Sequence, residues 1–182
     1  MVILIEGPDR VGKSTQLDLI KKYLEENGQT IHVLHYSSIK GDNVKEKSER
    51  HYTEMFNLIK FATYNNLNLA MDRAHGGETV YSSIYRNYIG DYVYEIEERF
   101  GRRVLNNIKL YVFVADPQDL ISRDDGKSFS VELEKKTDEI NRFKEFYEKS
   151  NIKHKTLINI TGKTIEQVFD EVKHHLHANK FL

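Results

Sequence analysis

Residues 7–14 read Gly-Pro-Asp-Arg-Val-Gly-Lys-Ser, the Walker A spacing of two glycines, a lysine and a hydroxyl. Glycines at both ends let the backbone curl around an anion, so that successive N–H groups point inward at phosphate oxygens. Lys13 supplies a mobile cation for the β- and γ-phosphates, and Ser14 a hydroxyl for Mg²⁺. The apolar run Val2-Ile3-Leu4-Ile5 directly before the octet predicts a buried strand, and Leu17, Ile20 and Leu24 at i, i+3, i+7 predict a helix after it. A helix opening near Lys13 adds its positive N-terminal end to the anion site. Strand, loop and helix in this order make nucleoside triphosphate binding the reading for Gly7, Pro8, Asp9, Arg10, Val11, Gly12, Lys13, Ser14 and Thr15.

A second chemical pair stands at Asp72-Arg73, at the end of another apolar run. An acid at a strand end beside a phosphate loop can hold Mg²⁺ through water. An arginine after it projects over the same rim with a planar fork suited to bidentate phosphate binding. A surface ion pair is the alternative; the position after an apolar strand, in a chain with a Walker A octet, favours a functional pair.

These residues need a scaffold, and the hydrophobic pattern supplies one. Strands are expected at residues 2–5, 31–35, 67–71, 108–115 and 156–160, several of them too continuously apolar for a half-exposed sheet. Between them lie helical faces: Met55, Ile59 and Ala62; Ile140, Phe143 and Tyr147; and Ile165, Val168, Phe169, Val172 and Leu176, opened by Thr164 as N-cap. Asn27-Gly28 is a helix stop. The alternation predicts an α/β fold: a doubly wound, five-stranded parallel sheet with right-handed crossovers and helices on both faces, as one domain over residues 1–182. Two polar segments, 37–49 and 122–130, read as loops beyond the carboxyl ends of strands, where such sheets bind ligands.

Acids and bases nearly cancel, at a formal net charge of −1, which argues against a sequence-independent nucleic-acid binder. With no cysteine, disulfides, thiolate metal sites and cysteine nucleophiles are excluded. No apolar run reaches the length of a membrane span, and a core strand at the very start leaves no room for a signal peptide. A cytoplasmic protein that meets neither membrane nor nucleic acid is expected.

Glu6-Gly7-Pro8-Asp9-Arg10-Val11-Gly12-Lys13-Ser14-Thr15-Gln16 resembles the phosphate loop of thymidylate kinases, and Asp72-Arg73 resembles their Asp-Arg motif. Tyr81 falls nine positions after the aspartate, where that family carries an aromatic, and Asp116-Pro117 followed by Arg123 resembles the approach to its lid. The Asp-Arg-x-His-x-Gly-Glu-x-Val-Tyr variant is more similar to phage-encoded members. The resemblance implies a P-loop kinase fold with a lid at about residues 122–131. It implies ATP-dependent phosphorylation of a deoxynucleoside monophosphate, dTMP foremost, with Mg²⁺, by a homodimer. It further implies that Lys13, Ser14 and the loop amides hold ATP and Mg²⁺, and that Asp72 serves the metal. Asp9 would face the acceptor sugar or metal shell, Arg10 would bridge the two phosphates, and Arg73 would grip the acceptor phosphate. Tyr81 would lie against the sugar, and Arg123 would approach ATP on lid closure.

The chain departs from that family at residues 36–41, which lack its second phosphate-binding arginine, and in the helix that carries its base-stacking phenylalanine and base-reading arginine. Arg50, Tyr52 and Phe56 are stand-ins there, with core the favoured reading for Phe56, and Glu78 is a further acceptor-side candidate. Two other readings remain. One is a deoxynucleoside kinase using Glu6, Asp9 or Glu78 as base; the other is a P-loop NTPase switch. His174, His175 and His177 read as a solvated helix end and His75 as a loop histidine, while Lys21-Lys22 and Lys135-Lys136 read as exposed faces. The tyrosines from Tyr81 to Tyr94 read as packing or an oligomer contact.

Overall fold

The computed structural model describes residues 1–37, 39–126 and 128–177; Ser38 and Lys127, from the two polar segments, lie outside the described residues. The elements run β1 (Val2–Glu6), α1 (Lys13–Glu26), β2 (His32–His35), α2 (Val44–Tyr64), β3 (Leu69–Asp72), α3 (Gly76–Tyr85), α4 (Tyr92–Leu105), β4 (Ile108–Val114), α5 (Pro117–Ser122), α6 (Leu133–Lys149), β5 (His154–Asn159) and α7 (Ile165–His177). The strands form one all-parallel sheet in the order β2-β3-β1-β4-β5. β1, β3 and β4 are buried along their whole length, as strands covered on both faces must be. β2 differs: it is an edge strand with mostly exposed residues.

The helix signals act as their chemistry requires. Gly28, at φ 74°, ends α1 in a Schellman arrangement: its N–H reaches the Glu25 carbonyl at 3.0 Å, and Gln29 N–H reaches that of Leu24 at 2.9 Å. Thr164 opens α7 as a capping box, its Oγ1 accepting from Gln167 N–H at 3.2 Å while Gln167 Oε1 accepts from Thr164 N–H at 2.9 Å. Val168, Val172 and Leu176 carry the buried face of α7, whereas Ile165 is exposed in the first turn.

Several expectations need correction. The third strand starts at Leu69 rather than residue 67, because Asn68 is spent on the Thr30 carbonyl and the chain terminus. α2 starts at Val44, so residues 44–49 of the first polar segment are helical rather than loop. Lys136 is buried, not on an exposed face, because α6 packs this side against α3 and pairs Lys136 with the equally buried Glu139 at 2.9 Å. His75 is fully buried and bonded to Glu97 at 2.6 Å, tying the start of α3 to α4.

Candidate active site

The phosphate loop leaves β1 through Gly7, at φ 141°, where a Cβ would stand 2.4 Å from the Phe113 carbonyl oxygen of β4; only glycine fits. Arg10 (φ 69°) and Gly12 (φ 83°) complete the turn into α1. Lys13 folds back over the loop, donating to the carbonyls of Gly7 at 2.9 Å and Pro8 at 2.7 Å. Burial lowers its pKa to about 8, assisted by repulsion from Arg73 and opposed by Asp9, Asp72 and Glu6.

Because β3 pairs with β1 in register, Ile5 opposite Asp72, the acid arrives beside the loop. Ser14 Oγ donates to Asp72 Oδ2 at 2.6 Å, and His35 Nδ1 from the end of β2 lies 3.3 Å from the same oxygen. Asp72 Oδ1 is buried without a hydrogen-bond partner. A buried carboxylate oxygen left open beside a serine hydroxyl fits a hydrated Mg²⁺, a hard cation that keeps several waters. Asp9, Arg10, Lys13, Ser14, Thr15 and Asp72 are among the residues bordering a donor cavity of about 470 Å³.

Arg73 follows Asp72 in a left-handed conformation, at φ 68°, and its Nη2 donates to Asp9 Oδ1 at 2.6 Å. Burial works to raise the Asp9 pKa, but Arg73 and Lys13 outweigh it and hold the carboxyl below its ordinary range. Beyond Arg73 opens a second, narrow cleft of about 30 Å³, walled by Tyr36, Tyr52, Tyr81 and Phe129 and bordered by Glu78 and Arg86. Arg73 borders both spaces. Two cavities lie at the carboxyl ends of a parallel sheet, one of them lined by the Walker A loop, and they meet at Arg73.

The chain has the fold of the thymidylate kinases. Three solved structures show the likeness along nearly the whole chain. The YorR protein from Bacillus subtilis, solved in complex with phosphorylated GDP, superposes with a TM-score of 0.70 at 18% identity over 97% of this chain and 95% of its own. Thymidylate kinase from Ehrlichia chaffeensis gives 0.65 at 16% identity, covering 97% and 98%. Thymidylate kinase from Candida albicans gives 0.61 at 15% identity, covering 98% and 92%. No protein-family model matches the sequence, and no curated protein does.

Within this fold the sequence-derived site divides. Asp9, Arg10, Gly12, Lys13, Ser14, Thr15, Asp72 and Arg73 converge on the donor cavity. Gly7, Glu78 and Tyr81 border the acceptor cleft. Val11 is buried and Pro8 contributes its carbonyl to Lys13. Arg50 is exposed on α2 and borders neither space; Phe56 is fully buried in the core against His75 and Phe100, so it has no face to offer a base. Arg123 caps the carboxyl end of α5, exposed and outside the donor cavity.

The segment between α5 and α6 makes two contacts instead. Asp125 pairs with Arg10 of the phosphate loop, and Phe129 stacks on Tyr81 and Tyr85 with centroids 5.1 Å from each. Tyr81 is buried with its hydroxyl unpartnered, and burial pushes the phenol pKa well up.

The polar groups around the acceptor cleft were not legible as a set. Glu6, fully buried with its pKa pushed up by burial, accepts the amides of Ala74, Gly76 and Gly77 at 3.0, 2.6 and 3.3 Å and so caps α3. Glu78 accepts Tyr88 Oη at 2.5 Å and Tyr92 Oη at 2.8 Å on one oxygen, and Arg86 Nη1 at 2.9 Å on the other. Burial works against the Arg86 charge, yet Tyr88 and Glu78 more than offset it, and its pKa is raised. Only the Glu-x7-Arg spacing along one helix, two turns apart, hinted at this pair.

Proposed function

We propose that the chain transfers the γ-phosphate of ATP to the 5′-phosphate of a deoxynucleoside monophosphate, dTMP among the acceptors, forming the diphosphate and ADP. The observation that carries this reading is Arg73 at the junction of the donor cavity and the acceptor cleft. A guanidinium there can hold the acceptor phosphate against the γ-phosphate, and phosphoryl transfer depends chiefly on such alignment and on charge neutralisation. An acceptor phosphate oxygen forms the new bond to the γ-phosphorus as the bond to the β,γ-bridging oxygen breaks, and ADP leaves with that electron pair. Lys13 and the loop amides bind the donor phosphates, Arg10 reaches over them, and Asp9 orients Arg73. Ser14 and Asp72 would hold Mg²⁺, which supplies charge neutralisation at the β- and γ-oxygens when bound.

A free nucleoside acceptor requires a carboxylate base. Of the three candidates, Glu78 is held on both oxygens by Arg86 and two tyrosines, Asp9 on one oxygen by Arg73, and Glu6 on one oxygen by three amides. The Arg73 guanidinium at the junction of the two spaces favours the monophosphate. The test is turnover with ATP and Mg²⁺ across a panel of nucleosides and monophosphates. At least one deoxynucleoside monophosphate is converted, thymidine is converted much more slowly than dTMP, and Lys13→Ala abolishes transfer. A panel with no turnover, or ATP hydrolysis indifferent to every acceptor, defeats the proposal.

A further inference from the structure

Phosphate transfer as set out above gives His35 no task, yet this residue stands on the border of the donor cavity. The sheet dictates its place. β2 pairs with β3 in parallel with His35 opposite Asp72, and residues opposite one another in a sheet project from the same face. The ladder continues one residue further, where Tyr36 N–H donates to the Asp72 carbonyl at 3.1 Å, so the backbone at His35 is held on both sides.

Three donor groups of different chemistry meet at this point. Ser14 Oγ lies 2.6 Å from Asp72 Oδ2 and His35 Nδ1 lies 3.3 Å from the same oxygen, while Asp72 Oδ1 is buried and unpartnered. Neighbouring ligands of a cation held at about 2.1 Å stand roughly 3.0 Å apart in octahedral and 3.4 Å apart in tetrahedral geometry. The 3.3 Å between the imidazole nitrogen and the carboxylate falls in that interval. A surface ion pair accounts for the His35 contact, but not for the buried open oxygen on the same carboxylate. Of the other charged groups on the border, Lys13, Arg10 and Arg73 are cations, and Asp9 gives one oxygen to Arg73. Among the described residues on that border, His35 alone offers an imidazole nitrogen.

We propose that His35 is a metal ligand of the donor site, adding an imidazole nitrogen to the Ser14 hydroxyl and the Asp72 carboxylate and so extending the site from Mg²⁺ to divalent transition metals such as Mn²⁺ and Co²⁺. This rests on the ATP-using reading of the same cavity. Mg²⁺ favours oxygen and keeps several waters, so an imidazole adds little to its affinity. From Mn²⁺ through Fe²⁺ to Co²⁺ the affinity for sites containing nitrogen climbs, and the same side chain adds more. A hydroxyl, a carboxylate and an imidazole are too few to close a shell, and phosphate oxygens of the donor supply the rest.

The experiment loads the whole chain with a non-hydrolysable ATP analogue and Mn²⁺ and reads the spin-echo modulation of the Mn²⁺ electron spin, in which a directly bound imidazole nitrogen leaves a resolved coupling. That coupling is expected in the wild type, is retained in His32→Gln at the other end of β2, and is lost in His35→Gln. The His35 side chain is more than half exposed at the end of an edge strand, and thermal melting checks that both variants fold. Calorimetric titration of Co²⁺ and of Mg²⁺ into the analogue complex gives a second readout. Losing a group that holds a metal costs roughly ten- to a hundredfold in affinity, so His35→Gln should weaken Co²⁺ at least about tenfold more than Mg²⁺. A wild type with oxygen ligands only, a nitrogen coupling that survives His35→Gln, or Co²⁺ and Mg²⁺ affinities falling by the same factor each overturns the proposal; the last would mean that His35 merely orients Asp72. In all three the analogue still binds with its metal. Failure of the analogue to bind with any metal removes the underlying ATP reading instead.

Discussion

Burial in the phosphate loop loosens the proton of a lysine, and nucleotide binding should tighten it. Lys13 sits at a pKa of about 8 against an ordinary 10.5, mainly through burial. A bound triphosphate places several negative charges at its ammonium and returns the pKa toward the ordinary value. The sign follows directly. Below about pH 8 the free and bound sites are both protonated and affinity is flat. Between 8 and 10.5 the free site has lost its proton and the bound site retains it, so binding takes up a proton and weakens as pH rises. At pH 9 roughly one free site in eleven is charged, so affinity for ATP should be about tenfold lower than at pH 7, with nearly one proton absorbed per ATP bound. Calorimetric titration at pH 9 in two buffers of different ionisation enthalpy measures that uptake. Lys13→Arg, which stays charged throughout this range, should abolish both the uptake and the tenfold fall. The same depression penalises folding fully below about pH 8, and the penalty is relieved as pH rises toward 10.5. A flat affinity between pH 7 and 9 with no proton uptake would refute the assignment of a loose proton to this lysine.

Further expectations concern the residues around it. Arg10, bordering the donor cavity, should matter more than the exposed Arg123: Arg10→Gly lowers kcat further than Arg123→Ala, and steady-state kinetics giving the reverse order would return the catalytic charge to the lid. With Tyr81 walling the acceptor cleft, deoxy acceptors should be preferred over ribo acceptors, and Tyr81→Ala should narrow that preference, as paired kcat/KM values would show. Lys136→Met leaves Glu139 buried with only Tyr85 as partner, and chemical denaturation should register a loss of about 3–5 kcal/mol, whereas a neutral result would mean that water reaches the pair.

Most of the scaffold could be read because its determinants are local. The glycine spacing of residues 7–14 specifies a loop, and unbroken apolar runs specify covered strands, whatever lies elsewhere in the chain. What escaped is contact between distant segments. Lys136 and Glu139 have the i, i+3 spacing of an exposed pair, and only the packing of α6 on α3 makes them buried. His75 looks like a loop residue until α4 delivers Glu97 to it. Phe56, by contrast, is core as its helix phase with Met55 and Ile59 already favoured. Arg86, paired with Glu78, closes a helix that the sequence presented only as a tyrosine-rich stretch.

The two anchorages of the segment between α5 and α6 have a metric consequence. Asp125 touches the phosphate loop and Phe129 stacks on Tyr81, and three residues of sequence, four Cα–Cα steps, separate them. Such a tether spans at most about 14 Å when fully extended. The tether therefore sets an upper bound: its length is the largest separation of Asp125 and Phe129 at which the contacts to Arg10 and Tyr81 can hold together.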